Sequence, residues 1–206
     1  MSQYTKNPPL LEAGVCADPI EQFDHWLGEA QAAGMIEPTA MTLATVDANG
    51  HPSARIVLFK GVHEGGPTFY TSYRGRKAHD LEVNPNVALV FWWDRMERQV
   101  RFEGRVAKLP IDMSREYFYQ RPRESQIGAI TSHQSQVVAS REALDQRYDD
   151  NVARLAGDEV PFPDHWGGYR VEPVAVEFWQ GRLGRLHDRL RYRRDGAQWA
   201  LERLEP

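Results

Sequence analysis

Cysteine is nearly absent: Cys16 stands alone in a chain of 206 residues. No intrachain disulfide can form and no thiolate cluster can be built. Long apolar runs are missing as well. The longest, Val87 to Trp93, has seven residues, against the ~20 that a membrane-crossing helix needs. The amino-terminal stretch lacks the basic-then-apolar build of a signal peptide, so the cytoplasm is the expected compartment. There is no excess of positive charge. A formal net charge of −4 argues against general attraction to nucleic acid or an anionic membrane, and any bound anion must be held by a local cluster of Arg and Lys. No G-x-G-x-x-G follows a strand, and neither a Walker pattern nor G-x-S-x-G occurs. A Rossmann site, a P-loop and a serine hydrolase therefore lack support. The seven histidines show no metal-type spacing with each other or with carboxylates, so no metal site is expected.

What is present is a globular balance, 41% hydrophobic and 26% charged, without repeats or linkers. Residues 1–17 have no periodicity and read as a mobile arm; residues 18–206 read as one domain. Asp18 caps a first helix with Pro19 at its first position and Glu21 at capping-box spacing, and Ile20, Phe23, Leu27 and Ala30 share a face with Trp26 beside them. Gly34 ends it. From Met41 the period becomes two: strands are expected over 41–46, 52–60 and 68–72, a helix over 76–83, then strands over 87–93 and 99–108. The middle is helical, with Asp112 and Ser140 as caps and Leu144, Tyr148, Val152 and Leu155 as the stripe of the last helix. Strands return over 169–179, 186–192 and 198–204, the last two joined at Asp195-Gly196. Hairpin order with inserted helices predicts a mainly β (α+β) protein, an antiparallel barrel or closed sheet. Trp92, Trp93, Trp166 and Trp179 read as core aromatics.

Cations stand beside hydroxyl or amide donors in several places. Arg55 and Lys60 end an apolar strand, at opposite parity, so a common target needs a bulge or a strand-end turn. Arg76 and Lys77 follow Tyr70-Thr71-Ser72 at a helix start, where free amides and the helix dipole favour a phosphate. Arg121-Pro-Arg-Glu-Ser125 repeats the combination, and Gln134-Ser135 follows. Arg185, His187 and Arg189 alternate, as on one face of a strand. Each set also has a plain reading: a solvated strand face, a helix break with ion pairs, or cross-strand pairs with acidic neighbours. Composition and spacing end at an anion-binding, mostly β enzyme or binding module, with two bound phosphates suggested by the number of sets.

Taken in order, Arg55-Ile-Val-Leu-Phe-Lys60, Phe69-Tyr-Thr-Ser, Arg76-Lys-Ala-His, Glu97-Arg-Gln-Val, Arg121-Pro-Arg-Glu-Ser-Gln-Ile-Gly, Ser132-His-Gln-Ser, Trp166-Gly-Gly-Tyr-Arg, Glu177-Phe-Trp-Gln-Gly and Arg185-Leu-His-Asp-Arg resemble the pyridoxamine/pyridoxine 5′-phosphate oxidase family. The similarity runs from about Pro38 to Pro206. The resemblance implies a split β-barrel homodimer with FMN at the subunit interface. Arg55, Tyr70, Thr71, Arg76, Lys77, Gln134 and Ser135 would then hold the FMN phosphate and tail, with Ile56, Val57, Leu58, Phe59 and Lys60 in the same cofactor segment. Gln99, Trp179 and Arg189 would lie along the flavin. Lys60, Tyr117, Arg121 and Ser125 would grip the substrate phosphate, and Arg185, Leu186 and His187 would cover the pyridine ring. Of these, Arg185 and His187 would be catalytic, with His187 handling the proton. The implied reaction moves hydride from C4′ of the substrate to FMN, and O₂ reoxidises the flavin to give H₂O₂.

Two departures from the family pattern stand out. Gly75 replaces the serine usual before the Arg-Lys pair, which removes one hydroxyl donor to the FMN phosphate. The arm holds only Tyr4 of the segment that folds over the substrate in relatives, so lid closure by it is not expected. Glu37 is a lesser candidate for substrate contact. Two rival functions are a split-barrel flavin reductase using NAD(P)H and a non-catalytic carrier of FMN or pyridoxal phosphate. The first has no use for Lys60, Tyr117, Arg121 and Ser125 together, and the second none for Arg185 and His187.

Overall fold

A computed structural model of the protein describes Tyr4 and residues 6–206. Its elements, in chain order, are α1 (Pro19–Ala32), β1 (Ala40–Val46), β2 (Pro52–Leu58), β3 (Val62–His63), β4 (Gly66–Ser72), α2 (Arg76–Val83), β5 (Asn86–Trp93), β6 (Arg98–Lys108), α3 (Ile111–Gln120), α4 (Arg123–Thr131), α5 (Arg141–Leu155), β7 (Trp166–Gln180), β8 (Asp188–Asp195) and β9 (Gln198–Arg203). The strands form one antiparallel sheet in the order β2-β1-β5-β6-β7-β4-β3, with β8 on β7 and β9 on β8. The two-residue β3 had no sequence signal. The ladder does not close. Beyond the end of β2 only a few bonds, such as Lys60 N–H to the Thr68 carbonyl at 2.9 Å, reach across to β4. The closed-sheet expectation is thereby corrected to an open, split barrel.

The strand β7 organises the molecule. Its first residues, 166–170, pair with β4, while its last, 175–180, pair with β8, and β6 runs beside it nearly throughout. A bulge at Glu103/Gly104 bends that long pair. The main core lies between the sheet and α1. Fully buried Phe23 packs on Phe59, Phe91 and Phe102 with ring centroids 4.8–5.2 Å away. A second apolar cluster joins α3, α4 and α5 to the start of β7 through Phe118, Ile127, Leu155 and Trp166.

Local signals explain most boundaries. The Asp18 carboxylate accepts the Ile20 N–H at 2.6 Å, Pro19 opens α1, and Gly34 takes φ +68° beyond its end. Asp18→Ala is expected to lower the unfolding free energy by about 1 kcal/mol, measurable as a shifted urea midpoint. Ser140 caps α5 through the Ala143 N–H at 3.1 Å. Asp112, by contrast, lies inside the first turn of α3, which starts after Pro110 without a side-chain cap. Of the expected α5 stripe only Leu155 is buried, and Val152 is 43% exposed.

Three further expectations change. The Val87–Trp93 run alternates rather than being buried throughout: Trp93 is in the core, Trp92 is 47% exposed. Trp92 is therefore not a core residue in the isolated chain. The 186–192 strand begins later, at Asp188, because Leu183–Arg185 forms a short 3-10 turn with Gly184 and Arg185 both at positive φ. Arg185, His187 and Arg189 therefore do not share one strand face. Of the amino-terminal arm, residues 1–3 and Thr5 lie outside the described residues. The rest is tied to the sheet: the Pro8 and Leu10 carbonyls accept from Gln180 Nε2 and Arg203 Nη2, both at 2.7 Å.

Candidate functional site

One cleft of about 510 Å³ gathers Arg55, Ile56, Val57, Leu58, Lys60, Tyr70, Thr71, Lys77, Tyr117, Arg121, Pro122, Ser125, Gln134 and Trp166. Six elements, β2, β4, α2, α3, α4 and β7, supply it together with the loops between them, and the topology explains how. The β2 strand stops at Leu58, and Gly61 at φ +100° turns the chain, so Lys60 leaves the strand alternation and reaches the same cleft as Arg55. That strand-end turn is the one the parity of the two residues required.

At the inner end, the Lys77 ammonium is buried and donates to Gln134 Oε1 at 2.6 Å and to Thr71 Oγ1 at 3.0 Å. Burial pushes its pKa down, and the Arg55 guanidinium adds to this. Arg55 reaches Thr45 Oγ1 at 2.7 Å and Ser53 Oγ at 2.8 Å. The Arg76 backbone N–H donates to Ser135 Oγ at 3.2 Å while its side chain is exposed. Ser135 itself sits at φ +69°, a conformation costly for a residue with a Cβ. Gly75 has a packing reason: a Cβ there would overlap the Gln134 carboxamide. Gln134 fills that space and presents its Oε1 to Thr71 and Lys77.

At the outer end, Tyr70 stacks on Tyr117 at 4.0 Å and on Trp166 at 5.5 Å, and the Arg121 guanidinium lies 4.7 Å over the Trp166 ring. Trp166 is thus both core and cleft wall. Arg121 Nη2 donates to the Ser125 carbonyl at 2.9 Å, whereas buried Nη1 has no partner among the described residues. Burial lowers its pKa. A buried guanidinium N–H without an acceptor is costly, and together with Lys60 and the Ser125 and Tyr117 hydroxyls it suits a phosphate. Phe59 is the exception in its segment, turning into the core against Phe23 and Phe91. Glu37 bonds Thr39 and is not among the cleft residues.

The remaining predicted residues form a second group at the other end of β7. Gln99 pairs with Trp179 and Trp179 with Arg189 across adjacent strands. The His187 ring lies 4.6 Å from Trp179. Its Nδ1 accepts the Arg182 N–H at 3.1 Å, so the neutral ring carries its proton on Nε2. Desolvation, then Arg185, lowers its pKa. Arg189 is held in a fork by Glu177 at 2.8 and 3.0 Å, the cross-strand acidic pairing that spacing alone allowed. Arg185 and Leu186 are exposed. Arg185 occupies the left-handed region at φ +64°, strain of the kind that collects at working sites. Tyr4, discounted from sequence, sets its ring 5.5 Å from His187 and 5.6 Å from Trp179. The signal for it was Gly181, where a Cβ would run into that ring.

A model of the family described as pyridoxamine 5′-phosphate oxidase matches residues 27–150, and one described as the pyridoxine 5′-phosphate oxidase C-terminal dimerisation region matches 166–206. The chain belongs to the pyridoxamine 5′-phosphate oxidase family. Similar proteins include the pyridoxine/pyridoxamine 5′-phosphate oxidases of Bordetella avium, 57% identical over 96% of this chain and 93% of that one, and of Salinibacter ruber, 56% identical over 93% and 91%. The crystal structure of PhzG from Burkholderia lata, in complex with tetrahydrophenazine-1-carboxylic acid, superposes with a TM-score of 0.90 at 30% identity over 96% of this chain and 98% of that one. A Nostoc punctiforme protein described as pyridoxamine 5′-phosphate oxidase-related and FMN-binding shares the fold, with a TM-score of 0.72 at 17% identity over 89% and 97%. Membership supports a homodimer through the matched dimerisation region, which spans all of β7.

Proposed function

We propose that this chain is an FMN-dependent oxidase that converts pyridoxamine and pyridoxine 5′-phosphates to pyridoxal 5′-phosphate. The alcohol and O₂ give aldehyde and H₂O₂; the amine also consumes water and releases ammonia. The observation that carries the reading is the cleft itself: two cationic clusters, Arg55/Lys77 and Lys60/Arg121, stand side by side, the second with an orphaned buried N–H. Two phosphates on two planar molecules fit that pair, with Tyr70, Tyr117 and Trp166 as ring-stacking walls. A flavin reductase leaves the second cluster without a task.

FMN, when bound, supplies the two-electron acceptor that O₂ regenerates. The chain does the rest. Arg55, Thr71, Lys77, Gln134 and Ser135 anchor the cofactor phosphate, with the Arg76 amide at the start of α2 beside them. Lys60, Tyr117, Arg121 and Ser125 anchor the substrate phosphate. Anchoring each molecule by its tail fixes the approach of the reacting carbon, a positional effect worth several kcal/mol. Gln99, Trp179, Arg185, His187 and Arg189 reach the same ligands from the partner subunit, because in one chain they gather around the end of β7 remote from the cleft. Arg185 steadies developing negative charge on the ring, and neutral His187 offers its Nε2 proton. A cytoplasmic setting belongs to the same proposal and agrees with the single free cysteine.

The test is direct: the purified protein is yellow or becomes so with FMN, and pyridoxamine 5′-phosphate in air yields aldehyde and peroxide together. A protein that FMN cannot colour ends the proposal. For His187 the expected pH profile has a sign. Its folded pKa is depressed below 6.5, so the neutral working form persists under mild acid and kcat falls with a midpoint below pH 6.5. His187→Ala removes that limb and lowers kcat about 100-fold; an unchanged limb in the variant excludes His187 as its source.

A further inference from the structure

Behind Arg55 stands a carboxylate that neither the motifs nor the reaction requires. Asp80 lies one helical turn beyond Lys77 on α2 and is only 5% exposed. A buried carboxylate away from any ligand must be matched by donors. Two groups match it. Thr45 on β1, fully buried, donates its hydroxyl to Asp80 Oδ2 at 2.6 Å, and Arg55 Nη2 on β2 stands 3.6 Å from the same oxygen. The Thr45 oxygen in turn accepts Arg55 Nη1 at 2.7 Å, and Nη1 also meets the Leu43 carbonyl at 3.2 Å. Asp80, Thr45 and Arg55 therefore close a triangle behind the cleft that ties a helix to two strands.

We propose that Asp80, through Thr45, is the positioning residue that holds the Arg55 guanidinium in place for the cofactor phosphate. This rests on the FMN reading above. Arg55 is a long side chain in a shallow strand position, with its own side chain 20% exposed. Left free it can swing to solvent, and binding an anion then has to restrict several rotatable bonds. Fixed by Asp80, Thr45, Ser53 and Leu43, it presents its charge beside Lys77 before any ligand arrives. The same carboxylate balances one of the two neighbouring cations, which otherwise repel: burial and then Arg55 lower the Lys77 pKa, and burial keeps the Arg55 pKa below its ordinary value, with Asp80 opposing that shift. Two opposite effects on anion affinity follow from Asp80. Its charge repels a phosphate, while its anchoring favours one. Anchoring wins.

Comparing FMN with riboflavin, which lacks the phosphate, separates that role from mere scaffolding. Binding is read as quenching of flavin fluorescence by the apoprotein, with no turnover needed. In Asp80→Asn the FMN dissociation constant rises about tenfold while that of riboflavin stays within twofold, so the ratio between them collapses by about the same factor. Thr45→Val, isosteric in its buried site, gives a smaller loss in the same direction, about threefold, and decides the matter alone if Asp80→Asn does not fold. An unchanged or tightened FMN affinity overturns the proposal, because repulsion then outweighs anchoring. Equal weakening of FMN and riboflavin overturns it too, since that is the mark of a purely structural role. A wild-type protein that does not prefer FMN to riboflavin removes the cofactor reading itself, a failure visible before any variant is made.

Discussion

Arg121→Leu raises the KM for pyridoxamine 5′-phosphate about 100-fold, and the ligand-free protein loses little or no heat stability. Both halves come from one observation. Arg121 Nη1 is buried without a partner among the described residues, and burial lowers the pKa of the group. In the free protein that N–H is a cost, and leucine removes it at the expense of the Trp166 contact and the bond to the Ser125 carbonyl. With a phosphate in place the guanidinium makes charge-assisted bonds of about 1.5–3 kcal/mol each, and each 1.4 kcal/mol is roughly tenfold in affinity. The check is steady-state kinetics alongside thermal melts with and without pyridoxal 5′-phosphate. A KM within threefold of wild type would place the substrate phosphate elsewhere.

Two crippled chains restore each other. One carries Lys77→Ala and Arg121→Leu, the other Arg185→Ala and His187→Ala. Each homodimer is expected to keep about 1% of activity or less, because every site has lost one whole side. Mixed as subunits in equal amounts, they recover roughly a quarter of wild-type activity: about half the dimers are mixed, and two-fold symmetry makes one of their two sites wholly intact. The physical ground is β7. Trp166 lines the cationic cleft and Trp179 borders His187, at opposite ends of a 15-residue strand, so roughly 40 Å of strand separates them. Exposed Ile56 and Leu58 on β2 and Trp92 on β5 are the kind of surface a second copy covers. If the mixture stays as inactive as its parts, the site is built within one chain.

Residue patterns carried much of this. Period-two alternation placed the strands over 52–58 and 98–108 within a residue or two, and Asp18-Pro19 and Gly34 bounded α1 because caps and breakers act locally. Cations beside hydroxyls marked Arg55, Lys60, Thr71, Lys77, Arg121, Ser125 and Gln134, which line one cleft, but equally Arg185, His187 and Arg189, which lie at the other end of β7. Patterns failed where the backbone conformation is not local. Arg185, His187 and Arg189 alternate like a strand face, yet Gly184 and Arg185 turn the chain first. An unbroken apolar run hid the outward face of Trp92, since alternation cannot be seen when both faces are apolar. Thr45 and Asp80 gave no usable sign, because each matters only through partners far along the chain.

Hydrophobic period, caps and turn residues set the elements, and the supply of guanidinium, ammonium and hydroxyl groups set the class of ligand. Those are properties of short stretches, and any folded arrangement had to accommodate them. Which cations became neighbours, which was left with a buried N–H in need of an acceptor, and which lay at the far end of β7 beyond the reach of its own cleft were settled only by packing. Strand order and side-chain burial depend on contacts between residues dozens of positions apart, and no local pattern encodes those distances.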